Sequence, residues 1–312
     1  MTTRHMLADD DLTAEEQAAV LDLALELKAD RHKVQPLAGP QAVAVIFDKP
    51  TLRTQLSFAT GVAELGGYPM SVDGQLAQIG VRESIADVAR VVGRQVSAIV
   101  WRTHGQDRLE ELASHVDVPV INALTDDYHP CQLLADLMTI REHKGSTAGL
   151  TLSYVGDGAN NMAHSYLLSG ALAGMHVRIG TPATHQPAGD VLARAEKIAA
   201  EQGGSVLVTA DPVAAVQGAD VVATDTWVSM GMEEEKGNRV GQASPFAPFA
   251  VTTELLGHAA PDAIVLHCLP AYRGVEIAAE VIDGEQSVVW DEAENRLHAQ
   301  KALMAFLLDA SS

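Results

Sequence analysis

What most limits the folds open to this chain is a repeated alternation. Short β-branched and apolar runs are separated by stretches of helical spacing along the whole of its 312 residues. The first half carries AVAVIF (Ala42–Phe47), VSAIVWR (Val96–Arg102) and VPVINAL (Val118–Leu124). The second carries LTLSYVGD, MHVRIGT, SVLVTAD, VVATDTW and AIVLHCLP. Runs this apolar are buried on both faces, and parallel strands joined by helical crossovers are the arrangement that buries them. The pattern predicts an α/β protein of doubly wound parallel sheets, and eight or more strands over this length suit two such domains better than one.

The small and polar stretch HKGSTAGLT interrupts the pattern and sets the expected division: one domain over residues 1–143, a second over 149–290. A helix from about Pro130 to Lys144 is expected to bridge them. DEAENRLHAQKALMAFLLDA, within 291–312, is acidic at its start and then apolar at helical spacing, so it reads as a terminal helix. The longest irregular stretch, Ser229 to Phe249, is long enough inside a compact domain to suggest function. Its EEE run reads as a solvated face.

Charge narrows the function. The chain has 41 acidic and 21 basic side chains, a formal net charge of -20. Such a surface repels phosphate backbones and anionic lipid, which argues against nucleic acid or a membrane as the main partner. An anionic small molecule would need a local concentration of cations, so any clustered arginine is informative. The two cysteines, Cys131 and Cys268, provide no disulfide framework. MTTRHMLADDDLTAEEQ has no apolar signal region and no run reaches the length of a membrane span. A soluble, cytoplasmic protein is expected.

In open α/β sheets ligands sit beyond the carboxyl ends of the strands. The segments there are DKPTLRT, RTHGQ, TDDYHPCQ, GDGANN, DTWVSMG and HCLPAYRG. Lys49, Thr51, Arg53 and Thr54 gather at the start of a helix, where free N–H groups and the dipole favour an anion. Thr51 alone would suffice as a helix cap. His129 of HPCQ reads equally as a polar cap, Cys268 of HCLP as a buried packing residue, and Asp225 with Ser229 as a capping pair. GDGANN lacks the G-x-G-x-x-G spacing of a dinucleotide site. No finger-type spacing supports zinc, and no G-x-S-x-G elbow supports a serine hydrolase.

Taken together and in this order, HPCQ, the Asp-x-x-x-Ser-Met-Gly of DTWVSMG and HCLP resemble the aspartate/ornithine carbamoyltransferase family, most closely its ornithine-specific members. The resemblance runs from LADDDLT to ENRLHAQKA. It implies a first domain that binds carbamoyl phosphate, a second that binds the amino acid, and a C-terminal helix that packs back on the first domain. The family's phosphate loop reads Ser-Thr-Arg-Thr-Arg, whereas this chain has Thr51-Leu52-Arg53-Thr54-Gln55. Leu52 can still serve through its backbone N–H, but Gln55 removes a cation.

By the resemblance, Thr51, Leu52, Arg53, Thr54 and Arg102 hold the phosphate, and Gln78 of LAQIG reaches the phosphate of a neighbouring subunit. His129 and Gln132 bind the carbamoyl oxygen and amide, and Cys268, Leu269 and Arg296 complete that site. Asn161, Asp225, Ser229 and Met230 contact ornithine. The implied reaction is carbamoyl transfer to the side-chain amine of L-ornithine, giving L-citrulline and phosphate for arginine metabolism. Arg102, His129 and Cys268 are its expected catalytic residues. A homotrimer or a multiple of trimers is implied, with no metal and no organic cofactor. Two other readings stay open on sequence alone: a carbamoyltransferase for a different amine, and a non-catalytic binding homologue.

Overall fold

A computed structural model of the chain describes residues 3–228 and 236–310. Two compact units emerge. One holds residues 1–138 with 294–312, the other residues 139–293. The chain passes between them inside two helices, Pro130–Lys144 and Val289–Ala310.

The first unit is built on strands β1 (Ala42–Phe47), β2 (Tyr68–Asp73), β3 (Ala98–Arg102) and β4 (Val120–Leu124), all parallel and in the order β2-β1-β3-β4. β1 is buried along its middle and β3 throughout, as their unbroken apolar sequences require. β2 was not legible in the sequence. It is an edge strand with Tyr68 and Met70 exposed, and it carries Pro69, which an edge tolerates because one side of its backbone needs no partner. The core packs Ile46, Ile99, Trp101 and Val120 against helix residues Ile85, Ala89, Leu109 and Leu112. Lys301, on the last helix, is fully buried in this unit and donates to Glu64 Oε2 at 2.7 Å and to the Arg31 carbonyl. Arg31 also pairs with Glu64. Burial opposes the Glu64 charge, but the hydrogen bonds and charges of Arg31 and Lys301 hold its pKa below the ordinary value.

The second unit contains β5 (Thr151–Val155), β6 (His176–Gly180), β7 (Ser205–Thr209), β8 (Val221–Thr224) and β9 (Ile264–His267), parallel in the order β7-β6-β5-β8-β9. Val155, Val222 and Val265 join Val216, Leu255, Ile277 and Val289 in its core. The strand order reverses at β5 in this unit and at β1 in the first, and such switch points open a crevice beyond the strand ends. The stretch read as irregular from Ser229 to Phe249 holds a helical turn, Lys236–Arg239, and a 3-10 turn, Ala247–Phe249.

Candidate active site

In the first unit the register pairs Phe47 with Arg102, so the segments leaving β1 and β3 emerge side by side. The helix that follows β1, Arg53–Glu64, begins without a side-chain cap. Leu52 holds the cap position, and only a long contact of 3.4 Å joins the Thr54 N–H to Thr51 Oγ1. First-turn N–H groups left this way favour an anion.

Cations gather at the same place. Arg102 and Arg296 are both nearly buried. Arg296 donates to Gln132 Oε1 at 2.5 Å and to Thr54 Oγ1 at 3.2 Å. Gln132 in turn donates to Asp136 Oδ1 at 2.8 Å, which fixes the orientation of its amide. Gln300, with its amide nitrogen on Ser57 Oγ, sets its oxygen 2.9 and 3.1 Å from Arg296 Nη2 and Nε. His129 is buried beside this group. Burial, and then the charges of Arg296, Arg102 and Arg53, hold its imidazole well below the ordinary pKa, so it is neutral at pH 7. A neutral imidazole that feels the charges of three guanidinium groups offers a hydrogen bond inside a strongly positive site. Burying charges such as those of Arg102 and Arg296 costs several kcal/mol each, so a site that keeps them is shaped for an anionic ligand.

Sequence residues outside that group behave differently. Lys49 is paired with Asp126, so its charge is spoken for within the first unit. Gln55 donates to Ser71 Oγ on β2 at 3.2 Å. Leu52 is 75% exposed, leaving its backbone as the part that serves the turn. Gln78 adopts a left-handed conformation, φ 51°, and lines a cavity of about 310 Å³ with Asp48, His104 and Arg108. Arg108 anchors that segment by donating to the Ile79 carbonyl at 2.7 Å and to Thr103 Oγ1 at 3.1 Å.

In the second unit the register pairs Thr224 with His267. The next residue on each strand, Asp225 and Cys268, therefore leaves the sheet beside the other, and the Cys268 thiol donates to Asp225 Oδ1 at 3.1 Å. Asp225 also accepts from the Thr226 N–H at 2.7 Å. Burial pushes its carboxyl above the ordinary value, against the bonds from the Cys268 thiol and the Thr226 N–H. A thiol that donates to a carboxylate is held protonated, so Asp225 is the member of the pair with lone pairs free to accept a further hydrogen bond or proton.

Asn160, not Asn161, caps the Asn161–Leu172 helix. It accepts from the Ala163 N–H at 2.8 Å and donates to Tyr154 Oη at 3.0 Å, which leaves Asn161 half-buried at the first helical position. Ser229 and Met230 lie outside the described residues. Arg239 was not singled out in the sequence, yet it donates to Asp157 Oδ2 at 2.6 Å and to the Trp227 carbonyl at 3.1 Å. It ties the turn after β5 to the segment leaving β8.

One group among the described residues has the makings of a metal site: ligand atoms of Asp225, His267 and Cys268 lie within 4.8 Å of one another. Both ring nitrogens of His267 are already engaged, Nδ1 by the Leu269 N–H at 2.9 Å and Nε2 by Glu276 at 3.2 Å. A metal would have to break one of those buried bonds. The group is better described as a hydrogen-bonded cluster.

Comparison with known proteins agrees with this division of labour. Residues 4–142 match the family described as aspartate/ornithine carbamoyltransferase, carbamoyl-P binding domain, and residues 148–307 match its Asp/Orn binding domain. The chain is 63% identical over 309 residues to an ornithine carbamoyltransferase of Clavibacter sepedonicus, covering 99% of this chain and 100% of that one. The solved ornithine carbamoyltransferase of Pyrococcus furiosus superposes with a TM-score of 0.92 at 44% identity, covering 99% of this chain and 98% of that one. An anabolic ornithine carbamoyltransferase of Campylobacter jejuni gives 0.92 at 35% identity, covering 98% of this chain and 99% of that one.

Proposed function

The chain belongs to the aspartate/ornithine carbamoyltransferase family, and we propose that it transfers the carbamoyl group of carbamoyl phosphate to the side-chain amine of L-ornithine, releasing L-citrulline and phosphate. The observation that carries this reading is the first unit's cluster, in which nearly buried Arg102 and Arg296 lie with buried His129, Arg296 is bonded to Gln132 and Thr54, and His129 feels the charges of Arg296, Arg102 and Arg53. A dianionic substrate with a carbonyl to be activated fits that group.

In this reading Arg53, Thr54, Arg102, the Thr51 hydroxyl and the Leu52 N–H hold the phosphate. His129 donates to the carbamoyl oxygen and Gln132 meets the amide, with Arg296, Cys268 and Leu269 completing the contacts. Asn161, Asp225, Ser229 and Met230 take the amino acid. An alkyl amine with the lysine reference pKa of ~10.4 is neutral in only about one molecule in 10³ at pH 7. The site must therefore take a proton from ornithine, and the Asp225–Cys268 pair is the place that can receive it. The neutral amine then attacks the carbamoyl carbon. A C–N bond forms, the C–O bond to phosphate breaks, and phosphate leaves with the electron pair and takes the proton that the attacking nitrogen gives up. Donors from His129, Arg102 and Thr54 stabilise the oxyanion between these events.

The same reading places the enzyme in the cytoplasm, in arginine biosynthesis, as a homotrimer. Among the described residues no helix is long and apolar enough to cross a membrane. Support for assembly comes from exposed apolar side chains of the first unit, including Leu52, Tyr68, Met70, Leu76 and Val81. Sedimentation of the purified chain as a monomer would refute the trimer, and arginine prototrophy of a deletion strain would refute the biosynthetic role. Citrulline formation is the primary test. It should require carbamoyl phosphate and L-ornithine, and faster turnover of putrescine or an acylated ornithine would overturn the assignment of the amine.

A further inference from the structure

At the end of β9 the chain turns through Cys268 and Leu269, and Leu269 adopts a left-handed conformation, φ 56°, that a branched side chain rarely takes. One bond that holds it there runs from its own N–H to His267 Nδ1, at 2.9 Å. That nitrogen can accept only if it carries no proton, so the ring proton must sit on Nε2. Nε2 faces Glu276 Oε1 at 3.2 Å, and both side chains are fully buried. The same Glu276 oxygen accepts from the Tyr272 N–H, farther along the turn. The His267 N–H is tied separately, to Glu292 Oε2 at 2.8 Å.

The choice of a carboxylate here is informative. Glu276 Oε2 has no hydrogen-bond partner among the described residues. A buried carboxylate with half its acceptors unused is an expensive filler of space, so packing alone does not account for it. An ionised carboxylate accepts and never donates. A glutamine in its place could present its NH₂ to the ring and favour the opposite tautomer, which would put a proton on Nδ1 against the Leu269 N–H. The carboxylate removes that alternative.

We infer that Glu276 is a positioning residue for carbamoyl transfer: through His267 it fixes the imidazole in its Nε2–H form and so holds the Cys268–Leu269 turn in its working conformation. The inference rests on the preceding reading in assigning Cys268 and Leu269 to the substrates. It goes beyond that reading by naming what shapes them. The geometry fits, because Cys268, the residue between His267 and Leu269, donates to Asp225 Oδ1 at 3.1 Å. A turn released from His267 would carry the thiol away from that carboxylate.

Two pairs of variants and two readouts test this on the full chain. Nitrogen NMR of ring-labelled protein, with His267 assigned by its loss in His267→Asn, should show the Nε2–H tautomer in the wild type and a mixture in Glu276→Gln. Loss of a partner that fixes a histidine's tautomer costs about 10–100-fold where the histidine holds a metal, and Glu276→Leu should lower kcat by a comparable factor per folded molecule. His267→Asn, which keeps an acceptor near the Nδ1 position, should retain more of kcat than His267→Gln, whose amide reaches the Nε2 position. A purely structural role predicts equal losses in the two histidine variants, matched by falls in Tm and with kcat per folded molecule unchanged. That result, or an Nδ1–H tautomer in the wild type, would overturn the inference. Should Glu276→Leu fail to fold, the histidine pair and the Glu276→Gln spectrum still decide. If the wild type forms no citrulline, the functional reading falls, while the tautomer measurement still tests the role of Glu276.

Discussion

Beyond the strand ends of the first unit, buried cations gather near a neutral base, Arg102 and Arg296 with His129, while the buried acids there, Asp48 and Asp136, accept from Thr103 and Gln132. Beyond those of the second, the buried groups are acids: Asp225, Glu276 and Glu292, with the Cys268 thiol donating to the first of them. Both units use the same device, neighbouring parallel strands whose next residues leave the sheet together, and they load it with opposite charge. The net charge of -20 therefore says little about either site. It does explain why the cations of the first unit had to be concentrated on so few side chains. A dianion belongs with the first set and an amino acid carrying ammonium groups with the second.

The largest effect should come from breaking the cation cluster. Arg102→Ala removes one buried donor from the group around His129 and should reduce kcat/KM for carbamoyl phosphate by about 10²–10³, the usual cost of one such donor. Arg53→Ala should raise the carbamoyl phosphate KM, leaving ornithine binding to the second unit unaltered. Initial-rate kinetics with each substrate varied in turn measures both. An ornithine KM that rises as much as that for carbamoyl phosphate would break the separation of the two sites.

Within the second unit, Asp225→Asn should lower turnover of ornithine more than Cys268→Ser does, by roughly 10² against 10, since removing a well-placed base costs about 10²–10⁴. The ordering follows from the direction of the bond between them: the sulfur donates and the carboxylate accepts. A serine hydroxyl can still donate to Asp225. If the serine variant loses more than the asparagine variant, and recovers as pH approaches the amine's own pKa, the sulfur is the proton acceptor.

The opposite characters also give opposite pH signs in stability. His129 is pushed well below its ordinary pKa by burial and by Arg296, Arg102 and Arg53. The unfolded chain therefore binds the proton more readily, and stability is lost as pH falls through the unfolded value, ~6.5. Asp225 is pushed up by burial. Here the folded chain binds the proton more readily, so stability is fullest below the unfolded value and is lost as pH rises through the folded one. His129→Gln should reduce the fall in Tm on acidification below about pH 6.5. Asp225→Asn should raise Tm at pH 7 by a few degrees, a gain that vanishes near pH 4, as ~1 kcal/mol moves a domain of this size by about 2–4 °C. Thermal melts over a pH series check both, and shifts of the same sign would mean that the two buried groups are not held as described.

How much of this was visible beforehand depended on where each signal resides. Strands β1, β3 to β6, β8 and β9 were legible because buried parallel strands must be apolar along their length, and β7, an exposed edge strand, was legible from its alternating valines and leucine alone. β2 was not, because YPMSVD is an exposed edge with a proline. The proximity of Arg102, His129 and Arg296 could not be read from spacing, since the last lies on a helix far along the chain; it came from the family resemblance. Gln300, Asp136 and Glu276 escaped altogether. Each acts by orienting another side chain, and a hydrogen bond between distant segments leaves no periodicity to find. Lys49 shows the converse: its position before the phosphate turn pointed to a ligand, and the fold pairs it with Asp126.

The smallest effect should follow from Gln55→Arg. From the sequence, this position is where a family arginine is missing, and one restored charge-assisted hydrogen bond would be worth about 1.5–3 kcal/mol, or at least tenfold in affinity. The structure argues for much less. Gln55 lies on the exposed side of its helix and donates to Ser71 Oγ across to β2 at 3.2 Å, whereas Thr54, the residue before it, is buried and receives Arg296. Neighbouring positions on a helix point about 100° apart, so a side chain at 55 is directed away from the turn that Thr54 serves. An arginine there would be solvated, and its charge would reach a bound phosphate only through water and salt. The carbamoyl phosphate KM should thus change by less than about twofold, with any residual gain fading as ionic strength rises from 0.01 to 0.15 M. A tenfold tightening that survives added salt would show the new guanidinium leaving Ser71 to join Arg53 and Arg102 on the ligand. The first unit's cation set would then be larger than the one whose charges His129 now feels.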